Sequence, residues 1–426
     1  MQKIPRVAIA LGCIVLGSFI ASVVRAQEAA EQEYAESHVF TFAQGLEGAA
    51  SAMTLDVMGN LYVANFGEVV YKVKPNGKAV IFASGLYGTT GNAIDSLGNL
   101  YQASFYGGYI TKITRHGNQE LFAKGLAGPM ALAFGAKGAL YVSNCSSQSI
   151  SRITSEGTVS TFADGALFKC PNGITLASDG NFYVVNFDDE SLIRITAHGE
   201  ATKFATLPYG RNTIASARGH LYVASLHRRI YRVSLMTGEV THLAGTGERR
   251  TEDGPALEAS FARPNGIAVT PDGSRVYVNS FVHNSSPTEP QFQEPDSLLV
   301  RLITLPSLTD RLTNASHGGE RLDLDAMAAE YHRLRANPAT AGLLDEAEMT
   351  GFAREIQRGA PEAAIKVLEL NAESYPRSWR VFDALAEAHL KAGHKNKAIT
   401  FFKKSLLLNP ENVNAADKLK RLRGGA

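Results

Sequence analysis

Along most of the chain, apolar and small polar residues alternate in short runs, each led by a turn. GNLYVANF (59–66) recurs as GNLYQASF (98–105), GALYVSNC (138–145), GNFYVVNF (180–187), GHLYVASL (219–226) and SRVYVNSF (274–281). The central tyrosines, Tyr62, Tyr101, Tyr141, Tyr183, Tyr222 and Tyr277, are spaced 39, 40, 42, 39 and 55 residues apart. Alternation with a period of two, directly after a turn, predicts a strand. A second strand follows each copy, with Lys72, Lys112, Arg152, Arg194, Arg232 and Arg301 at matching places. In the first five copies a glycine turn comes next (Gly77, Gly117, Gly157, Gly199, Gly238), and then an outer strand such as AVIFA or VSTFA.

With the strand that leads into each tyrosine phrase, the pattern amounts to four strands per repeat. Four antiparallel strands at a period near 40 residues predict one blade of a β-propeller. The sixth repeat lacks an outer strand after LLVRL. HVFTFAQGL (38–46) matches the outer strands of the other repeats and is expected to pair with the last blade, leaving no free sheet edge. Residues 38–305 are thus expected to form a mainly β, six-bladed propeller closed by the N-terminal strand. The six basic residues, one per blade, are expected to act as struts between blades.

After residue 305 the period changes. Residues 306–320 read as a linker, and 321–426 as a small all-α domain rich in alanine, leucine, glutamate and lysine at helical spacing. Leu385, Gly393, Ala398, Phe402 and Pro410 fall at positions that resemble a tetratricopeptide repeat. Ala364, Leu368 and Pro376 repeat part of that pattern 34 residues earlier. The resemblance implies a helical tail that binds a protein partner or stabilises the chain.

The N-terminus adds a separate segment. Lys3 and Arg6 precede an apolar run, Val7 to Val24, and small residues at Val24 and Ala26 suit a signal-peptide cleavage site. Residues 1–26 are therefore expected to direct export to the periplasm or beyond. An uncleaved membrane anchor is the alternative, since the run is near spanning length. Composition narrows the partners: 45% hydrophobic and 19% charged residues with a net charge of +1 give no basic excess, so nucleic acid is not expected. Cleavage would remove three basic residues and no acid, turning the net charge to −2.

The repeats, through PNGIAVTPDGSRVYV (264–278) and the GNLYV turns, resemble NHL-repeat propellers and the senescence-marker/gluconolactonase (regucalcin-like) superfamily. In the regucalcin-like hydrolases a divalent cation sits at the mouth of the central channel, held by a glutamate, an asparagine and an aspartate. Asn172 or Asn265, at the starts of inner strands, match the asparagine, and Glu47 is the nearest glutamate. No aspartate stands at an equivalent start, and the PNG phrase also reads as a plain turn. The resemblance thus implies either a metal-dependent lactone or ester hydrolase, with calcium or zinc, or a metal-free site for a small molecule, peptide or glycan. Asn172, Asn265, Arg211, Asn212, His227 and Asp188 are the candidate binding residues on this upper face. His227 and His283 form a possible pair for a transition metal. Phe66, Phe105, Tyr106, Phe187 and Phe281 either line an apolar cup or pack between blades. Asn65, Ser104, Asn144, Asn186, Ser225 and Ser280 close the tyrosine strands and are expected to tie down loops. Cys145 and Cys170 fall on the same face of adjacent blades and are expected to form a disulfide.

Overall fold

The computed structural model describes residues 37–282, 297–305, 323–336, 344, 346–358 and 360–424. The expected signal segment, His283 and the whole of the expected linker lie outside them. The chain divides into two compact units between Leu305 and Pro306.

The first unit is a six-bladed β-propeller. Its described residues form five four-stranded antiparallel sheets and one of five strands. The inner strands are Met53–Leu55, Thr89–Ile94, Pro129–Phe134, Pro171–Leu176, Asn212–Ala217 and Pro264–Val269. Each contacts the next around the ring, and the sixth contacts the first. The clasp forms as the pattern predicts: His38–Glu47 pairs antiparallel with Ser297–Thr304, from His38 opposite Thr304 to Glu47 opposite Ser297. A two-residue strand, Gly254–Pro255, adds to its other edge.

Alternation turns into burial because each blade is covered on both faces by its neighbours. The second strand of blade 1, Leu61–Ala64, is buried along its whole length, as are Leu100–Ser104 and Phe182–Asn186. The recurring tyrosine has a second use beyond its apolar ring. The hydroxyls of Tyr62, Tyr101 and Tyr183 donate to Asp56, Asp95 and Asp179 in the turn between the first two strands (3.3, 3.4 and 2.9 Å). Burial and the Asp95 carboxylate push the Tyr101 phenol up to about 12, so these bonds keep their protons at any physiological pH.

Two of the six basic residues do not act as the expected struts. Lys72 reaches Asp56 (4.0 Å) and Lys112 reaches Glu120 (3.1 Å), each within its own blade. Arg301 is fully buried and serves the insertion that makes the last spacing 55 residues long. It donates to the carbonyls of Ser260 and Glu252 (both 2.9 Å) and pairs with Asp253 at 2.7 Å.

In the second unit the described residues form six helices: α1 (Leu324–Ala336), α2 (Glu346–Ile356), α3 (Pro361–Ser374), α4 (Trp379–Lys391), α5 (Lys395–Leu408) and α6 (Val413–Gly424). Sequential helices from α2 onward pack on one another. Ser378 caps α4 through the Val381 amide, and Pro361 opens α3 where no amide is required. Ala364, Leu368 and Leu385 share one core; Ala398 and Phe402 belong to another. Gly393 takes the left-handed conformation (φ +83°) that ends α4.

Candidate functional site

Topology assigns the faces. Turns between the first and second strands, and between the third and outer strands, lie on one face, here the lower. Loops between the second and third strands, and those joining blades, lie on the upper face. The upper ends of the inner strands surround an axial cavity of about 90 Å³, lined by Ser51, Thr90, Met130, Asn172, Thr213 and Asn265 among others, with Phe66 at its rim.

Asn172 and Asn265 therefore open into the same cavity, but their amide nitrogens are already engaged. Asn172 Nδ2 donates to the Asn212 carbonyl of the next blade, and Asn265 Nδ2 to the Ala50 carbonyl, both at 2.8 Å. Other seams are closed in the same way. Thr90 Oγ1 donates to Pro129 O (2.7 Å), Ser143 Oγ to Asn172 O (2.8 Å), and Asn92 Nδ2 to Tyr62 O (3.2 Å). Thr213 Oγ1 donates to the Asn265 carbonyl. The Pro129, Asn172, Asn212 and Asn265 carbonyls at these seams thus find side-chain donors. The PNG phrase is not a turn: Pro171–Leu176 is a strand. Gly173 is required because a Cβ there would sit 2.9 Å from the Ile214 amide of the next blade.

Both asparagines still line the cavity. Glu47 is absent from its lining; it ends the clasp strand, where its backbone contacts the Tyr71 hydroxyl and the Asn65 amide. A hard divalent cation draws most of its affinity from carboxylates, and the cavity lining supplies none. No group of three or more His, Cys, Asp or Glu side chains suited to a metal is found among the described residues. The described residues that line the cavity do not fit a resident calcium or zinc ion.

The ring of polar strand ends ties loops, as expected. Asn65 Oδ1 accepts from the Gly67 and Val69 amides (2.9 and 3.1 Å). Asn186 Nδ2 donates to Leu167 O and Asp189 Oδ1 (2.9 and 3.0 Å), and Ser280 Oγ accepts from the Arg263 amide (3.2 Å). Asn144 Nδ2 donates to Ser151 Oγ at 2.9 Å. The Cys145–Cys170 disulfide forms across the blade 3–blade 4 seam on the upper face.

Around the mouth the exposed groups separate by blade. On blades 1 and 2, Phe66, Tyr87 and Tyr106 are exposed and in mutual contact, with centroids 6.1 Å (Phe66–Tyr106) and 5.7 Å (Tyr87–Tyr106) apart. Phe105 supports Tyr106 from behind at 5.3 Å. Blade 5 lies across the ring from blade 2. It carries Arg211, whose guanidinium rests 5.3 Å from the Phe187 ring, and His227, stacked on Tyr209 at 4.5 Å. Arg263, entering blade 6, rests 5.1 Å from the Phe281 ring. Asp188 is exposed beside this group, and Asn212 is buried beneath it. Sequence reading placed Phe66, Tyr106, Arg211 and His227 on this face. It missed Tyr87, Tyr209 and Arg263, which lie in blade-to-blade loops outside the repeated phrase.

Comparisons with known proteins agree with this architecture. The model of the virginiamycin B lyase family matches residues 31–283. Among solved structures, a gluconolactonase from Xanthomonas campestris is 15% identical (TM-score 0.50), with 65% of this chain and 93% of that one covered. A streptogramin B lyase is 17% identical (TM-score 0.48), covering 64% and 99% of the two chains. A catalytically inactive virginiamycin B lyase from Staphylococcus aureus with quinupristin is 19% identical (TM-score 0.44), covering 60% and 80%. No curated protein matches the chain.

Proposed function

The chain belongs to the virginiamycin B lyase family, and on that premise we propose that its upper face binds a small peptide or lactone ring. One observation carries the reading: an exposed aromatic cluster faces cations pinned on aromatic rings across the mouth of a small axial cavity. Phe66, Tyr87 and Tyr106 offer apolar area to a ring or an aromatic side chain. Arg211, held over Phe187, offers a positioned guanidinium to a carboxylate or carbonyl. The cavity of about 90 Å³ admits only a small substituent, so the body of the ligand rests on the rim. There the amide oxygens of Asn172 and Asn265 accept hydrogen bonds from the inserted group.

Binding in this form requires no metal. Calorimetry with virginiamycin B, with and without chelator, tests it. The expected result is chelator-insensitive binding that weakens about tenfold in Tyr106→Ala and again in Arg211→Ala. Binding unchanged in both variants would sink the reading. A second reading, ring opening, is favoured by family membership. In it His227, the exposed imidazole at the mouth, takes the proton α to a carbonyl while the ring's ester C–O bond breaks, leaving a C=C bond and a free carboxylate. Turnover lost in His227→Asn with binding retained would support it. We also propose export: the disulfide persists only in an oxidising compartment, and the apolar run Val7–Val24 supplies the route.

A further inference from the structure

The lower face of the propeller is divided by chemistry in a way that neither the fold nor the upper-face site requires. At the turn between the first two strands, blades 1 and 2 present Val57, Met58 and Leu97. Val57 is fully exposed, and Met58 and Leu97 are each 75% exposed. These side chains are held out by rigid turns. Asp56 Oδ1 accepts from the Met58 and Asn60 amides (2.9 and 2.8 Å), and Asp95 Oδ1 from the Leu97 and Asn99 amides (2.9 and 2.8 Å). The two carboxylates are thereby turned inward and consumed.

Further from the axis, the turns between the third and outer strands of the same two blades carry Lys74, Lys78 and Arg115, all exposed. The corresponding turns of blades 3, 4 and 5 carry Glu156, Glu200 and Glu239 instead, while the first turns of blades 3 to 6 are mixed, with Lys137, Asp179, Arg218 and Asp272. One sector of the face is thus apolar near the axis with a basic rim, and the remainder is of mixed charge, acidic at the outer turns of blades 3 to 5. The chain also enters and leaves the propeller on this face, since His38 and Thr304 are paired at its lower edge. The apolar run Val7–Val24 precedes that entry point.

We propose that this sector docks on a lipid bilayer bearing anionic headgroups. Val57, Met58 and Leu97 dip into the interface while Lys74, Lys78 and Arg115 meet the headgroup phosphates. The acidic outer turns of blades 3 to 5 lie outside the docked sector. This docking leaves the mouth on the opposite face open to solvent, so it is independent of what the mouth binds. It also holds whether or not the N-terminal segment is retained, because it rests on the propeller's own turns.

The test uses the full chain in a Cys13→Ser background, with a fluorophore at Ser96→Cys on the lower face or at Glu68→Cys on the upper face. Vesicles of phosphatidylglycerol and phosphatidylcholine should reduce iodide quenching at position 96 about tenfold and leave position 68 unchanged. Charge reversal of Lys74, Lys78 and Arg115, or Val57→Asp with Leu97→Asp, should abolish the protection. Pure phosphatidylcholine should give little. Equal protection at both positions, or protection indifferent to lipid charge and to the variants, would overturn the proposal. Protection at position 96 without vesicles, together with a doubled mass in sedimentation, would assign the sector to a second copy of the chain and overturn it equally.

Discussion

At the residue scale, Asn172 shows how a side chain with ligand-like credentials can be spent on the scaffold. Its Nδ2 holds the Asn212 carbonyl across a blade seam, although the residue lines the cavity. Alanine at this position would orphan a buried carbonyl, and we expect a loss of about 1–3 kcal/mol in urea unfolding. The same truncation should weaken ligand binding less than Tyr106→Ala does, because the rim makes most of the contact. A larger effect on binding than on stability would reverse that assignment. The recurrence of the phrase was legible in the sequence; the engagement of its amide was not. The partner is a backbone carbonyl 40 residues away, and backbone groups leave no mark in a residue pattern. Gly173 was misread for the same reason. Its neighbour is the Ile214 amide of the next inner strand, a contact set by ring curvature.

At the element scale, two junctions lend themselves to test. The disulfide fastens the end of the second strand of blade 3 to the entry of blade 4, closing a separation of 25 residues. A Cys145→Ser, Cys170→Ser chain should unfold with about 3 kcal/mol less stability, and the native protein should show no thiol from this pair on titration. Its legibility came from the repeat: once blades are counted, both cysteines fall on one face.

The joint between α4 and α5 was not legible. His389 is buried, stacks on Phe401 and shares a hydrogen bond with His394 through their Nδ1 atoms at 3.2 Å. Burial first, then Lys397 and the His394 charge, hold the His389 imidazole below its ordinary value of 6.5, against a smaller opposing pull from Glu362. The folded form therefore binds its proton less readily than the unfolded chain. Stability of the helical unit should be full above about pH 6.5 and fall as the pH drops below it. Melts followed at 222 nm between pH 7.5 and 5 should show a falling midpoint, flattened in His389→Gln. A midpoint independent of pH would show that His389 does not change its protonation on unfolding.

At the scale of the whole molecule, the ring is closed twice. The outer closure is the clasp strand, and Arg301 secures it. Arg301 pairs with Asp253, whose carboxylate also accepts from the Thr41 amide and hydroxyl of the clasp (both 3.0 Å). The inner closure is a seam at the axis. Asn265 Nδ2 holds Ala50 O, and Asn279 holds Ser51 O while accepting from the Gly266 amide. The clasp was legible, because one outer strand was missing and one was spare. The insertion over Arg301 was visible only as an irregular spacing, since a loop without a repeat has no template.

Two closures in parallel predict a particular coupling. Asp253→Ala strips Arg301 of its only carboxylate among the described residues and should cost about 2 kcal/mol, the buried cation keeping its two carbonyl partners. Hydrogen exchange should then quicken along residues 38–46, with little change at the axis. Asn265→Ala should quicken exchange near residues 50–55 instead. While either closure holds, blades 1 and 6 stay together. Only loss of both frees the seam, so the double variant should lose more stability than the sum of the single losses. Strict additivity would mean that the clasp and the axial seam stabilise separate structures, and that the ring does not fold as one cooperative unit.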